Sequence, residues 1–137
     1  MKSSYLIKAE NCLKSAKILC SNGLYENATS EAYYSMYNSV LSLLFKTGIK
    51  SENHSASILL LEMLFKKKEL AAVISWAKDE RIDKQYYVES QQAVKATEQS
   101  CSEMISSTEG FLVSMKLFLQ ELSIEGITAA RNSFEDL

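Results

Sequence analysis

Proline is absent from this chain, and glycine occurs only four times, as Gly23, Gly48, Gly110 and Gly126. Those two residue types break helices most strongly, so a mostly helical chain is the simplest reading. None of the glycines lies near another, which excludes a glycine-rich phosphate loop, and no G-x-S-x-G nucleophile elbow is present. Histidine occurs once, as His54, so a two-histidine metal site within one chain and a di-iron bundle built on repeated Glu-x-x-His pairs are both excluded. The three cysteines, Cys12, Cys20 and Cys101, are an odd number without metal-type spacing. They read as small core residues in a reducing compartment. No apolar run reaches the roughly 18 residues that a membrane span needs. Charges interrupt "MKSSYLIKAENCLK" too early for a secretory signal. The expectation is a cytoplasmic protein with no membrane segment, no metal and no cofactor.

What remains is apolar material at helical spacing. Hydrophobic residues make up 47% of the 137 residues and charged residues 23%, enough for one domain with a core of useful size. The formal net charge is −2, so contact with a polyanion would need a local basic patch. A first helix is predicted over 3–22, with Tyr5, Leu6, Ala9, Cys12, Leu13, Ala16, Leu19 and Cys20 on one stripe, ended by Gly23. Ile7 and Ile18 fall on its polar side. A second helix is predicted over 25–47, ended by Gly48. Its apolar positions cover more than half its circumference, beside a narrow polar strip of Asn27, Glu31, Asn38 and Ser42, which suits a central helix. Tyr34 and Phe45 flank that strip, where a ligand or partner can reach them.

Ser51 or Asn53 is the expected cap of a third helix, which would carry Lys66, Lys67 and Lys68 at its C-terminal end. A fourth helix follows, with Leu70, Val73, Ile74 and Ala77. A long fifth helix is expected over 88–122, where Thr97, Cys101, Met104, Thr108, Phe111, Met115, Phe118 and Leu122 step by four and three. The expected architecture is all-α: an up-down bundle of about five helices over residues 1–122. Residues 123–137 form a tail, either a short helix or frayed chain, with too few apolar residues to add a core element.

The stretch "DERIDKQYY", residues 79–87, stands apart from this packing material. Arg81 offers a planar fork of donors suited to phosphate. Tyr86 and Tyr87 can stack on bases or donate a hydroxyl, and Lys78 and Lys84 add positive charge. On spacing alone the favoured reading is a solvated helix face on which Asp79, Glu80 and Asp83 pair with Lys78, Arg81 and Lys84.

The segment "AENCLKSAKILCSNGLYENATSEAYYSMYNSVLSLLFKTGIKSENHSASILL" resembles the HEPN domain, in particular its small stand-alone prokaryotic branch. The points of resemblance are an alanine-rich first helix, a short turn, and a "YYAMF"-like core at Tyr33, Tyr34, Ser35, Met36 and Tyr37. Gly48 and the loop histidine His54 follow, and Tyr86 comes five positions after Arg81. The likeness covers roughly residues 5 to 120 and rests on the order and spacing of motifs that are individually unspecific.

The resemblance implies a four-to-five-helix bundle that often dimerises, involvement with nucleotides or RNA, and frequent pairing with a minimal nucleotidyltransferase in toxin–antitoxin or defence systems. Many relatives are metal-independent ribonucleases. Their site joins an arginine, a polar residue just after it, and a histidine four to six residues on. This chain keeps Arg81 but has Ile82 at the polar position and Tyr86 or Tyr87 where the histidine would stand. A tyrosine with an ordinary pKa of about 10 is a poor base at neutral pH. Two readings follow. One is a binding module for a nucleotide, RNA or a nucleotidyltransferase partner, with a dimer cleft lined by Arg81, Tyr86, Tyr87, Lys78 and Lys84. The other is an endoribonuclease that uses Arg81 with a non-histidine base. His54 joins either site only if the fold brings its loop to Arg81.

Overall fold

The computed structural model describes residues 2–51, 53–85 and 95–137. Among them are six helices and no strand: α1 (Ser4–Ser21), α2 (Tyr25–Thr47), α3 (His54–Met63), α4 (Lys68–Gln85), α5 (Glu98–Glu121) and α6 (Ile124–Glu135). The expected all-α bundle is present, with a sixth helix added from the tail. No described helix is long and apolar enough to cross a membrane.

The local chemistry of the ends sets most boundaries. The Ser3 hydroxyl accepts the Leu6 amide and starts α1. Gly48 adopts φ 72°, where only a residue without a Cβ sits at ease, and its N–H caps the carbonyls of Leu44 and Phe45 to end α2. Asn53 starts α3 by accepting the Ala56 amide at 2.8 Å. Lys66 bears out the expected cap, its Nζ donating to the carbonyl of Met63, the last residue of α3, at 3.1 Å; Lys66 and Lys67 form the connection and Lys68 opens α4. Lys67 sits 4.3 Å from the centroid of the Phe118 ring, so its role is a cation–π contact rather than a helix cap.

The central helix is α2, with α1, α3, α4, α5 and α6 all packed on it. Its contact with α1 is close because Ala9, Ala16, Ala28 and Ala32 are fully buried, and the Ser35 hydroxyl donates across it to the Ala9 carbonyl at 2.6 Å. The expected polar strip is only partly exposed. Asn38 and Ser42 are buried, and each remains hydrogen-bonded, Asn38 to the Tyr34 carbonyl and Ser42 to Ser3. Ile7 and Ile18 of α1 are exposed as expected.

The fifth helix differs from the sequence expectation at its start. Residues 88–94 lie outside the described residues; Lys95, Ala96 and Thr97 are not helical, and α5 begins at Glu98. Thr97 and Ser100 exchange side-chain and backbone hydrogen bonds in a capping box, which satisfies two amides at the start of the helix. From there the predicted seam holds: Cys101, Met104, Thr108, Phe111 and Met115 are buried, and Phe118 and Leu122 are half-buried. The tail takes the short-helix alternative, but against expectation it joins the core. Ser123 caps α6 through the Gly126 amide, Ala130 is buried, and Phe134 packs against the core. Few apolar residues suffice because they fall on one side of a short amphipathic helix.

Candidate functional site

Three helices meet around the N-terminal half of α2. Tyr33 and Tyr37, four residues apart, share one face and are buried, while Tyr34 beside them is half-buried. The first residue of α3, His54, lies across that face. Its ring stacks on Tyr37 at 3.8 Å between centroids and 22° between planes. Its Nδ1 is 2.7 Å from the Tyr33 hydroxyl. The ring is fixed further by the start of α3: the Tyr37 hydroxyl is 3.1 Å from Ser57 Oγ, which donates to Ser51 Oγ and lies 3.0 Å from the Asn53 carbonyl oxygen.

From the other side, α4 brings Arg81. Its guanidinium carbon stands 5.4 Å from the centroid of the Tyr33 ring and 5.2 Å from that of Tyr34, within cation–π range. Nη1 donates to the Tyr34 hydroxyl at 2.9 Å and to the Gln85 side-chain oxygen at 3.2 Å. Nε is buried without a hydrogen-bond partner among the described residues. One turn earlier on α4, Lys78 Nζ donates to Ser55 Oγ at 2.7 Å, next to His54.

The acids of "DERIDKQYY" do not neutralise Arg81 among the described residues. Glu80 instead pairs with Lys84 at 3.3 Å, and the Lys84 side chain is buried. The spacing does favour i,i+4 contacts, but they are Glu80–Lys84 and Arg81–Gln85. Of the residues singled out in the sequence, the fold brings together Arg81, His54 and Lys78. Lys84 faces Glu80 instead, and Tyr86 and Tyr87 lie outside the described residues.

The electrostatics follow from this geometry. Burial, with the charges of Arg81 and Lys78 nearby, holds the His54 pKa below its ordinary value of 6.5 and so keeps the ring neutral at pH 7. Burial raises the Tyr33 pKa, so its phenol stays protonated and can serve as donor or acceptor to Nδ1. If Nδ1–H donates to the Tyr33 oxygen, Nε2 keeps a free lone pair; if the phenol donates, Nε2 carries the proton. The cluster therefore combines a positive planar fork, an ammonium group and a neutral imidazole. That set suits an oxyanion, and among the described residues no group of three or more His, Cys, Asp or Glu side chains is placed to hold a metal ion.

Tyr33 and Tyr37 fall on the broad apolar face that the spacing predicts for the second helix. Both do pack, yet both also hold the imidazole. Two tyrosines four apart on a buried helix carry no signal that would identify them as a histidine cradle. Tyr34 was legible as reachable but not as the partner of Arg81.

The family profile described as "HEPN domain" matches residues 3–117 of the chain. A relative in Thermotoga maritima, named "UPF0332 protein", is 26% identical over 120 residues, covering 84% of this chain and 88% of the relative. A shorter match, 35% identical over 57 residues, joins 42% of this chain to 42% of "Putative toxin MJ0605" of Methanocaldococcus jannaschii.

Proposed function

The chain belongs to the HEPN domain family, and on that premise we propose that it is a toxin-like HEPN protein that binds nucleotide or RNA phosphate at Arg81. The observation that carries this reading is the guanidinium held over Tyr33 and Tyr34 with no carboxylate opposite it among the described residues. A half-buried arginine without a counter-ion favours an anion from solution, and its planar fork matches a phosphate. Lys78 and the uncharged edge of His54 supply further contacts, and Tyr34 offers a ring for a base to stack on. The toxin-like role is supported by the name of the archaeal relative. In this reading the working form is a cytoplasmic homodimer, and its partner is a minimal nucleotidyltransferase of a toxin–antitoxin or defence-type pair, as the family resemblance implies.

The test is fluorescence anisotropy with a labelled single-stranded RNA at two salt concentrations. Arg81→Ala is expected to weaken binding by at least about tenfold and to flatten the salt dependence, since phosphate contacts release counterions. Equal affinity in Arg81→Ala, with an unchanged circular dichroism spectrum, would remove the site.

A second reading is favoured by one specific observation, the neutral imidazole beside Arg81. In it the protein is a metal-independent endoribonuclease whose base comes from α3 rather than from the residues after Arg81. His54 Nε2 takes the proton of the ribose 2′-hydroxyl, and the 2′-oxygen bonds to phosphorus as the bond to the 5′-oxygen breaks. The products are a 2′,3′-cyclic phosphate and a 5′-hydroxyl, whose proton comes from the imidazolium or the Tyr34 phenol. Arg81 stabilises the charge on the phosphorane. Cleavage of RNA in the presence of EDTA, ending in cyclic phosphates and lost in both His54→Ala and Arg81→Ala, is the outcome this reading requires. Intact RNA leaves the binding reading alone.

A further inference from the structure

The opposite half of α2 borders a cavity of about 680 Å³, between the start of α1, the end of α2 and the end of α5. Phe45 is twelve residues from Tyr33, so the two sites are separated by about 18 Å along the helix axis. The walls are the apolar side chains of Leu6, Phe45 and Leu119, and Lys2, Lys46 and Lys116 stand around them. Phe45 is 67% exposed at this cavity, the most exposed aromatic ring among the described residues, and Tyr5 meets it edge-on at 5.9 Å.

The charges around the cavity do not balance. Lys2 and Lys116 both bind the single carboxylate of Glu10, at 2.9 and 2.8 Å, and so hold its pKa below the usual value. Lys46 donates to the Leu119 carbonyl at 2.6 Å, at the negative end of α5, and has no carboxylate partner among the described residues. Three ammonium groups thus face one carboxylate, a local positive excess in a chain whose formal net charge is −2. Deeper in, the Ser3 and Ser42 hydroxyls lie 2.9 Å apart. Ser3 already accepts the Leu6 amide. One proton of the pair is spent on the other oxygen and one remains to be donated.

We propose that this cavity is a second binding site, for a small amphipathic anion with an apolar body and a carboxylate or phosphate head. The body lies against Leu6, Phe45 and Leu119. The head meets the ammonium groups and the spare serine proton. Volume and chemistry agree with this class of ligand: small-molecule sites are commonly about 300–1,000 Å³, with mostly apolar walls and a few converging polar groups. A free inorganic anion would leave the apolar walls wet, and a neutral amphiphile would leave the lysine charges unanswered. The proposal does not depend on the Arg81 reading.

Isothermal titration calorimetry of the full chain with decanoate and with decyl phosphate tests it. Either probe is expected to give saturable one-site binding, at least tenfold tighter than decanol or inorganic phosphate. Phe45→Ser and Lys116→Gln are each expected to weaken it by about tenfold, while Arg81→Ala leaves it unchanged. Phe45 is exposed, so its replacement leaves the fold intact and keeps the test decisive if Lys116→Gln perturbs the pairing with Glu10. No saturable binding of either probe, equal binding by both variants, or loss in Arg81→Ala would overturn the proposal. So would binding seen only with anionic phospholipid vesicles, which would point to a membrane surface instead of a cavity ligand.

Discussion

At one half of α2, Arg81 lies against tyrosine rings and a neutral imidazole, with no carboxylate opposite it among the described residues. At the other half, Lys2 and Lys116 share Glu10, and the apolar walls are open. Both regions are cationic, but their charges are held differently. The arginine is fixed by aromatic packing and a phenolic oxygen, so its position does not depend on a counter-ion. The lysines are oriented by a carboxylate at the surface, where ion pairs contribute little and long side chains keep their freedom. A rigid fork suits a ligand whose geometry is invariant, such as a phosphate. A flexible cationic rim over an apolar wall tolerates ligands of varied shape.

Four measurements would break or sharpen that contrast. The largest effect is expected from Tyr33→Ala, which removes a fully buried ring that supports both His54 and Arg81. It should cost about 3–5 kcal/mol in urea unfolding, as for other buried aromatic truncations. Phe45→Ala, at the exposed end, should stay within about 0.5 kcal/mol of the parent. Similar losses at both positions would erase the distinction between a packed and an open site.

Tyr33→Phe is a finer cut. It keeps the ring but deletes the hydroxyl bound to His54 Nδ1, and should cost about 1 kcal/mol. It should also change the titration of His54, which no variant at the lysine end is expected to do.

His54 is the chain's sole histidine, so its imidazole resonances are directly assignable by NMR. Its pKa is expected below 6.5, because burial and the charges of Arg81 and Lys78 oppose protonation. In the window below 6.5 the unfolded chain binds more protons than the folded one, so this group's contribution is full above 6.5 and is lost as pH falls through the folded pKa. A nucleotide phosphate bound at Arg81 should raise that pKa by partly neutralising the site. Decanoate in the far cavity should leave it unchanged. A His54 pKa above 6.5 in the free protein would contradict the site's electrostatics.

The smallest effect belongs to Glu10. Its pKa is lowered from 4.5 chiefly by hydrogen bonds from Lys116 and Lys2, so its stabilisation is present above 4.5 and lost as pH falls through the folded value. The lysine partners are 37% and 55% exposed, so Glu10→Gln should cost no more than about 1 kcal/mol at pH 7 and should flatten the acid limb slightly.

Much of the fold was legible in the sequence because it depends on local chemistry. The bounds of α2 follow from Gly23 and Gly48, whose positive φ angles end the neighbouring helices. The Asn53 cap and the seam from Cys101 to Met115 follow from residue type and spacing in the same way. The start of α5 was harder to see. Lys95 to Thr97 contain neither glycine nor proline, and the T-x-x-S box that starts the helix lacks the usual Glu or Gln at its fourth position. The role of α6 depended on where Ala130 and Phe134 land, which is a matter of packing.

By itself the sequence determined an all-helical chain and the bounds of α2, and it set Arg81 apart from the packing material. Periodicity, breakers and side-chain chemistry act within a few residues of chain. The tertiary structure alone decided what Arg81 faces. His54 is 27 positions before it and Tyr34 is 47 positions before it. They meet because α3 and α4 both pack on α2, an outcome of burying three apolar faces together rather than of any local spacing.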